Sequence, residues 1–192
     1  SYTGVDHPQV SKLYKLEIKP EVLADAKKLP FEKESFDMAL LLQVLEHVDS
    51  PKDVIKEAAR VLKPDGILII SLPFFYPLHD MPYDFGRYTS SALKSFISGA
   101  SLRIVKMETQ GGFFEFWLQM LNTFLVKRIN DIISTKMTVY SVFLLLVIAA
   151  FSIPFILLCN LLMIVFNIAS KIFPKYPDYF PLDYLVVARK KQ

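Results

Sequence analysis

Acidic side chains that directly follow short predicted strands are the first residues in this sequence that could do chemistry. Asp6 ends the strand-like stretch 2–6, and Asp25 follows a second such stretch, residues 22–24. An ionised carboxylate only accepts hydrogen bonds, so it suits donors such as ribose hydroxyls or an exocyclic amino group. Asp6 could instead be a turn residue, because it precedes a His-Pro dipeptide.

A second polar group follows the apolar run that begins at Phe36. Gln43, Glu46 and His47 come directly after this run, where polar residues return abruptly. In open α/β sheets, ligands bind just beyond the carboxyl ends of the strands, so these positions are candidates for a site. The alternative is a core strand followed by an ordinary polar loop.

The loop 73–89 follows the next apolar run and is long, aromatic and rich in ionisable residues. Loops of this length in a compact domain are usually functional. His79 has a pKa range suited to a general base, and Arg87 could bind an anionic group with two hydrogen bonds. The structural alternative is that Arg87 pairs with Asp84 to hold the loop, while His79 bonds to backbone.

A parallel sheet is the element that would bring these positions together. The run Phe36–Leu42 lacks a 3.6-residue period and predicts a strand buried on both faces. Residues 51–62 predict a helix, Pro-Asp-Gly at 64–66 predicts a turn, and residues 67–72 predict the next strand, which together form a βαβ unit. A helix that begins after Thr89 and a strand at 102–109 follow.

Four motifs occur in a fixed order along this part of the chain. They are Asp-Ala-x-x-Leu-Pro-Phe at 25–31, Phe-Asp with an apolar strand at 36–42, Glu-His-Val at 46–48 and Arg-Val-Leu-Lys-Pro-x-Gly at 60–66. In this order they resemble class I S-adenosylmethionine-dependent methyltransferases, especially the small-molecule branch of that superfamily. The resemblance covers residues 2–110 and returns at 182–190.

The resemblance implies an α/β fold with a Rossmann-like methyltransferase sheet, mostly parallel, whose last strand is antiparallel. It divides the chain into a partial methyltransferase core at 1–112, a membrane-associated helical insertion at 113–178, and the last strand of the core with a basic tail at 179–192. The hydrophobic insertion therefore precedes the last strand and must leave and return on the same side of the sheet.

The same resemblance implies S-adenosyl-L-methionine as the cofactor. Asp6 is expected at its ribose, Asp25 and the backbone of Ala26 at its adenine, and the backbone of Leu42 and Gln43 at its methionine end. No metal is expected. His79 is the expected catalytic base, and the expected substrate-binding residues are His47, Tyr83, Arg87 and Tyr88.

The glycine-rich opening of this fold is missing from the sequence, since none of the six glycines forms a G-x-G. The chain begins at what resembles the second strand, so the sheet is expected to lack its first strand–helix unit of about 30–40 residues. Two interpretations remain: a fragment of a longer enzyme, or a non-catalytic membrane-associated pseudoenzyme or scaffold. A nicotinamide-dependent dehydrogenase also places an acid after its second strand, but Glu-His-Val and the antiparallel last strand argue against it.

The composition points to a membrane and not to nucleic acid, because 53% of the residues are hydrophobic and the net charge is +3. The single cysteine, Cys159, excludes an intramolecular disulfide and a cysteine-based zinc site. Residues from 113 onward predict an interfacial amphipathic helix, with a polar stripe that includes Asn122. Residues 139–172 are then almost free of charge, and about 20 apolar residues suffice to span a bilayer.

Pro154 near the middle of this run is expected to break or kink a helix, leaving two arms of about 15 residues. A re-entrant or monotopic hairpin then fits best, with the core on the cytoplasmic side because cations flank both ends. The alternative is a water-soluble helical pair that forms a dimer interface. The predicted activity is methyl transfer to a small-molecule, lipid-linked or glycan-like acceptor at the membrane surface, and the sequence does not identify that acceptor.

Overall fold

A computed structural model of the protein describes residues 2–9, 19–134, 139–169 and 181–191. The chain forms two compact units. Unit 1 comprises residues 1–74, 78–108 and 184–192, and unit 2 comprises residues 75–77 and 109–183. The insertion predicted from the sequence, residues 113–178, lies inside unit 2, although unit 2 also includes three residues of the loop that follows the fourth strand.

The strands of the described chain form two sheets. The smaller sheet contains β1 (Val5–Asp6) and β2 (Val22–Leu23), which pair in parallel. The larger sheet has the order β3-β4-β6-β5, with β3 parallel to β4. Its strands are β3 (Phe36–Leu42), β4 (Leu62–Pro73), β5 (Leu102–Gln110) and β6 (Asp183–Lys190).

The last strand, β6, is antiparallel to β5, as predicted. The Leu182 N–H donates to the Gln110 carbonyl at 2.9 Å, and the Lys191 N–H donates to the Ser101 carbonyl at 3.0 Å. The start of one strand therefore lies beside the end of the other. β6 also neighbours β4, so it lies between β4 and β5 in the larger sheet.

Helices cover the sheet of unit 1 and supply much of its core. A short 3₁₀ helix (Leu45–His47) follows β3, α1 (Pro51–Val61) leads into β4, and α2 (Ser90–Ser98) precedes β5. The Thr89 side chain caps α2 by accepting a hydrogen bond from the Ala92 N–H at 3.2 Å, as the sequence predicted. The most buried side chains of this core include Leu45, Ile55, Leu68, Ile70, Leu72, Leu93, Ile97 and Val186.

The prediction that β3 is buried on both faces is wrong. Met38, Leu40 and Leu42 lie on one face of the strand and are 45–53% exposed. Within the described chain β3 is an edge strand that pairs with β4, and the elements packed on the sheet leave this face of β3 about half exposed. The turn predicted at residues 64–66 lies within the bounds of β4, where the pairing passes from Phe36–Leu62 to Met38–Ile67 and Asp65 has a φ of 62°.

Unit 2 is an antiparallel pair of helices, α3 (Phe113–Ser134) and α4 (Val139–Ala169). The ring of Phe114, near the start of α3, stacks on that of Phe166, near the end of α4, with centroids 4.4 Å apart. The helix break expected as one outcome at Pro154 does not occur, since Pro154 lies inside α4, which is 31 residues long in total. A proline removes one backbone hydrogen bond, and the many remaining bonds of a long helix hold its course.

Gly111 is the point at which the chain leaves β5 for this helical pair. Its φ of +72° is a left-handed conformation, and a Cβ there would lie 2.7 Å from the Leu182 side chain. Only glycine fits both conditions. Because Leu182 is also hydrogen-bonded to Gln110, the insertion leaves and returns at adjacent positions, as predicted.

We expect Leu68→Ala to lower the free energy of unfolding by about 2–5 kcal/mol, since Leu68 is fully buried in β4. The matched control is Leu40→Ala on the neighbouring strand, which should cost less than about 1 kcal/mol because Leu40 is largely exposed. Denaturant titration followed by circular dichroism measures both values. An equal loss of unfolding free energy in the two variants would contradict the assignment of Leu68 to the core.

Candidate active site

The paired strands β1 and β2 bring the two predicted cofactor-binding aspartates to one edge. Asp6 lies opposite Leu23, and the Ala24 N–H donates to the Asp6 carbonyl at 3.0 Å. Asp25 lies two residues after the end of β2, so both carboxylates lie at the carboxyl ends of parallel strands. One oxygen of Asp6 accepts the His7 N–H at 2.7 Å, which orients its side chain.

The segment after β2 is held in place by Asp25 and Lys27. Asp25 Oδ1 accepts the Lys27 N–H at 2.8 Å, and Lys27 Nζ lies 2.8 Å from Asp49 in the loop before α1. The pKa of Lys27 is raised chiefly by this bond to Asp49. Among the described residues, no group accepts a hydrogen bond from the Ala26 N–H. That donor is therefore available to a ring nitrogen, as the predicted adenine contact requires.

Gln43 terminates β3 in a left-handed conformation, with a φ of 54°. Its N–H donates to the Ser71 carbonyl and its side-chain amide donates to the Ser71 hydroxyl, both at 2.8 Å. Positive φ at a residue other than glycine costs energy and is concentrated at ligand sites. The backbone turn at Leu42 and Gln43 is thus fixed by β4, at the sheet edge where ligands of α/β folds bind.

Glu46 lies in the 3₁₀ helix and is completely buried. Neither of its carboxylate oxygens has a hydrogen-bond partner among the described residues. Burial raises the pKa of this carboxyl, although the backbone N–H of Glu46 itself and then the nearby His47, His79 and Arg87 act in the opposite direction. The backbone carbonyl of Glu46 accepts the N–H groups of residues 85 and 86, at 2.8 and 3.3 Å, so it ties the long loop to this helix.

The two predicted histidines of the site meet beside Glu46. The rings of His47 and His79 are 4.8 Å apart in an edge-to-face arrangement. His47 Nδ1 lies 2.8 Å from the Tyr83 carbonyl, which fixes Nδ1 as the protonated nitrogen if the bond is made. His47 Nε2 then faces Glu46 Oε1 at 3.9 Å and Asp80 Oδ2 at 4.0 Å.

The loop is held by an ion pair between Arg87, whose side chain is partly exposed, and Asp84, whose side chain is buried. Both carboxylate oxygens of Asp84 bind the guanidinium, at 2.5 and 2.9 Å, and the Asp84 side chain has no exposed surface. The Arg87 bonds are the largest cause that lowers the pKa of Asp84 to about 2. Asp84 also accepts the His79 N–H at 3.0 Å. The structural alternative considered for Arg87, a pair with Asp84, is therefore present, and an anionic substrate would have to share this guanidinium.

The two predicted tyrosines occupy different environments. Tyr83 is 39% exposed and contributes its carbonyl to His47. Tyr88 packs against the core with its ring 5.5 Å from Phe96, and burial raises the pKa of its hydroxyl. Tyr88 thus anchors the end of the loop, whereas Tyr83 lies at its surface.

Glu46 and Asp84 were not among the predicted catalytic or binding residues, since Glu46 was noted only as a polar residue after the strand and Asp84 only as a possible partner of Arg87. A glutamate that directly precedes a histidine after a strand was visible in the sequence, but its complete burial was not. Two surface depressions of about 670 and 300 Å³ lie elsewhere, around α2, β5 and the end of α1, and none of the predicted site residues lines them.

Residues 1–70 match the family model of the methyltransferase domain. Among curated proteins, the chain is 45% identical over 51 residues to an uncharacterised protein of Methanocaldococcus jannaschii, covering 27% of this chain and 25% of that protein. It is 43% identical over 49 residues to the sterol 4-C-methyltransferase strm-1 of Caenorhabditis elegans (26% and 15%). It is 39% identical over 62 residues to 27-O-demethylrifamycin SV methyltransferase of Amycolatopsis mediterranei (31% and 23%).

Solved structures share the fold. An S-adenosylmethionine-dependent methyltransferase from Thermotoga maritima superimposes with a TM-score of 0.52 at 17% identity, covering 97% of this chain and 72% of that one. The cyclase SpnF superimposes with the same TM-score at 18% identity, covering 95% and 60%. The predicted α/β methyltransferase fold is therefore confirmed. Because SpnF is a cyclase, the fold alone does not define the reaction.

The matched segments span only a quarter or less of the length of these curated relatives. The motifs at 25–31, 36–42, 46–48 and 60–66 all fall within the segment that matches the family model. The resemblance proposed from those motifs is confirmed for this segment.

We expect Asp84→Asn to lower the free energy of unfolding by about 3–5 kcal/mol, because it leaves the Arg87 guanidinium without its buried counter-charge. The matched control is Asp49→Asn, which breaks the more exposed pair with Lys27 and should cost less than about 1 kcal/mol. Denaturant titration at neutral pH measures both.

The pH dependence tests the same pair. The folded-state pKa of Asp84 is about 2, below its ordinary value of 3.8, so its stabilisation is complete above that ordinary value and disappears as pH falls through 2. The difference in unfolding free energy between the wild type and Asp84→Asn should therefore shrink between about pH 4 and pH 2. A difference that stays constant over this range would contradict the pairing.

Proposed function

We propose that this chain, whose residues 1–70 belong to the methyltransferase domain family, transfers a methyl group from S-adenosyl-L-methionine to an acceptor at a membrane surface. The observation that carries the proposal is the match of this segment together with the position of Asp6 and Asp25. Both carboxylates lie at the carboxyl ends of two parallel strands, where ligands of α/β folds bind.

The donors and acceptors at this edge fit the cofactor. Asp6 would accept hydrogen bonds from the ribose hydroxyls, and Asp25 from the adenine amino group. The Ala26 N–H, which has no acceptor among the described residues, would donate to an adenine ring nitrogen. The fixed backbone at Leu42 and Gln43 would lie against the methionine portion.

When bound, the cofactor supplies a sulfonium-activated methyl group, whose bond to sulfur breaks with the electron pair remaining on sulfur as the acceptor's lone pair forms the new bond. The protein's task is then mainly positioning, because an in-line displacement gains most from correct orientation. His79 would take the proton that the acceptor loses, and Asp84 near His79 Nδ1 would stabilise the resulting imidazolium. His47, Tyr83, Arg87 and Tyr88 would form the acceptor side of the site.

Unit 2 supports the membrane part of the proposal. One segment of α4, Leu146–Phe166, is long and apolar enough to cross a bilayer, with a mean hydropathy of 2.5. The whole of α4 is about 46 Å long at 1.5 Å per residue, against a hydrocarbon core of about 30 Å. Its sequence from Val139 to Ala169 contains no charged residue.

The distribution of side chains in unit 2 is the reverse of that in a water-soluble helical pair. The buried side chains include Asn122, Ser152 and Cys159, whereas large apolar side chains point outward. Such an arrangement suits lipid, since membrane helices bury small and polar residues against each other. The outward-facing group includes Trp117, Phe124, Phe143, Leu146, Phe151, Leu157 and Leu161. We therefore propose that α3 and α4 attach the enzyme to a membrane, with the core on its cytoplasmic side and a small-molecule or lipid-linked acceptor.

We expect the full-length protein to bind S-adenosylhomocysteine, and Asp6→Asn to weaken binding roughly tenfold to a hundredfold. The reason is that a hydrogen bond to a charged group is worth about 1.5–3 kcal/mol. Isothermal titration calorimetry measures the affinity, and transfer of a labelled methyl group to lipid or aqueous extracts identifies the acceptor class.

The matched control for this experiment is Asp37→Asn. Asp37 lies at the opposite end of β3 and is exposed, with Lys63 as its partner, so the affinity should not change. Equal affinity of the wild type and Asp6→Asn would refute the role of Asp6. A folded protein that binds no S-adenosylhomocysteine would favour the non-catalytic scaffold.

The membrane proposal predicts that the protein floats with phosphatidylcholine–phosphatidylserine vesicles when detergent is removed. Replacing both Leu157 and Leu161 by lysine should abolish flotation, since a lysine near the centre of a membrane helix costs roughly 3 kcal/mol. The control is Val105→Lys, which adds a lysine at an exposed position of β5 outside the helical pair. A protein that stays in solution as a dimer and ignores the vesicles would instead support the water-soluble alternative.

A further inference from the structure

Three side chains with metal-binding atoms converge beside the loop that follows β4. Glu46, His47 and His79 each offer one such atom, and these atoms all lie within 4.8 Å of one another. Ligands that share one ion at about 2.1 Å are roughly 3–3.5 Å apart, so the group would close by roughly 1.5 Å around an ion. Two imidazoles and one carboxylate are a common ligand set for divalent transition metals.

The buried carboxylate of Glu46 independently indicates a ligand. It has no exposed surface, and neither of its oxygens has a hydrogen-bond partner in the described part of the chain. A buried carboxylate without partners is costly. Protonation would remove its charge but would still leave its oxygens without a partner. The nearby Arg87 guanidinium binds both oxygens of Asp84 and is not a hydrogen-bond partner of the Glu46 carboxylate.

The surroundings of the two histidines orient them for coordination. His47 Nδ1 lies against the Tyr83 carbonyl at 2.8 Å, so its Nε2 carries the lone pair and faces Glu46. His79 Nδ1 lies 3.4 Å from Asp84 Oδ2 and equally far from Arg87 Nη2. Donation from Nδ1 to Asp84 leaves Nε2 of His79 as the ligand atom. Carbonyl or carboxylate partners of this kind are typical behind metal-binding histidines.

We propose that Glu46, His47 and His79 bind one divalent transition-metal ion of the zinc, manganese or iron class. The sequence predicted no metal, and this proposal replaces that expectation. Imidazole ligands favour these ions over magnesium and calcium, which prefer oxygen ligands. The site itself does not depend on the proposed cofactor. The site leaves coordination positions open, and Asp80, 4.0 Å from His47 Nε2, lies on its exposed side.

If the proposed methyl transfer is correct, the ion would select an acceptor that presents an oxygen. A divalent cation lowers the pKa of a bound hydroxyl, so the acceptor could lose its proton to water before it attacks the methyl carbon. His79 would then be a metal ligand instead of a general base. Glu46→Gln separates the two roles, because it removes a ligand but leaves the His79 imidazole in place.

The test is titration of the full-length protein with CoCl₂ after removal of any affinity tag and bound metal. The visible absorption of protein-bound Co²⁺ reports the ligand environment, and ZnCl₂ should displace it. We expect one equivalent to bind to the wild type, and Glu46→Gln and His79→Ala each to weaken binding at least about a hundredfold. Asp84→Asn should weaken it about tenfold to a hundredfold by releasing His79.

The matched control is His7→Ala, which removes the remaining histidine of the chain outside the group and should leave Co²⁺ binding unchanged. Circular dichroism verifies that each variant is folded. If Glu46→Gln does not fold, the loss of Co²⁺ binding in His79→Ala tests the metal site instead. In addition, ZnCl₂ should raise the melting temperature of the wild type and of His7→Ala but not of Glu46→Gln.

Two results would overturn the proposal: no Co²⁺ absorption and no thermal effect of zinc in the wild type, or equal binding by the wild type and Glu46→Gln. Titration with S-adenosylhomocysteine in the absence of metal keeps this outcome separate from the proposed function. A protein that binds the nucleoside but not the metal would refute only the metal site. A protein that binds the metal but not the nucleoside would refute only the methyltransferase proposal.

Discussion

The parallel pairing of β3 with β4 is the constraint on which the candidate site depends. It aligns Leu42 with Ser71, so that both strands end at the same edge of the sheet. The 3₁₀ helix after β3 and the long loop after β4 therefore start side by side. The carbonyl of Glu46 then fastens that loop through two backbone hydrogen bonds. Without this register, residues more than thirty positions apart would not form one group.

The candidate site contains two carboxylates without exposed surface, Asp84 and Glu46, and their surroundings differ. Asp84 is fully paired with a guanidinium and with a backbone N–H, so its charge is stabilised and its pKa is low. Glu46 is equally inaccessible but lacks such partners within the described chain, and burial raises its pKa. The first carboxylate gives the loop its shape. The second lies beside two imidazoles and is the group that most requires a cation.

The two units of the chain follow different rules for burying side chains. Unit 1 has an apolar core under its sheet and helices, as expected in water. Unit 2 places Asn122 and Ser152 inside and aromatic and aliphatic side chains outside. The start of α3 and the end of α4 lie together, because the rings of Phe114 and Phe166 stack.

The sequence by itself determined the features that depend on near neighbours in the chain. The cap of α2 at Thr89, the strand character of Phe36–Leu42 and the order of the four motifs are local, since capping and periodicity act over a few residues. Most of the polar side chains of the candidate site were recognisable for the same reason.

Only the tertiary structure decided which surfaces are covered and which side chains meet. The exposure of Leu40, the continuity of α4 through Pro154 and the burial of Glu46 beside His79 all depend on what packs against each residue from elsewhere in the chain. Hydrophobic periodicity predicts that a segment is a strand or a helix, but it does not specify its neighbours. Burial and pairing are properties of those neighbours, and pairing is what distinguishes the carboxylate of Asp84 from the equally inaccessible carboxylate of Glu46.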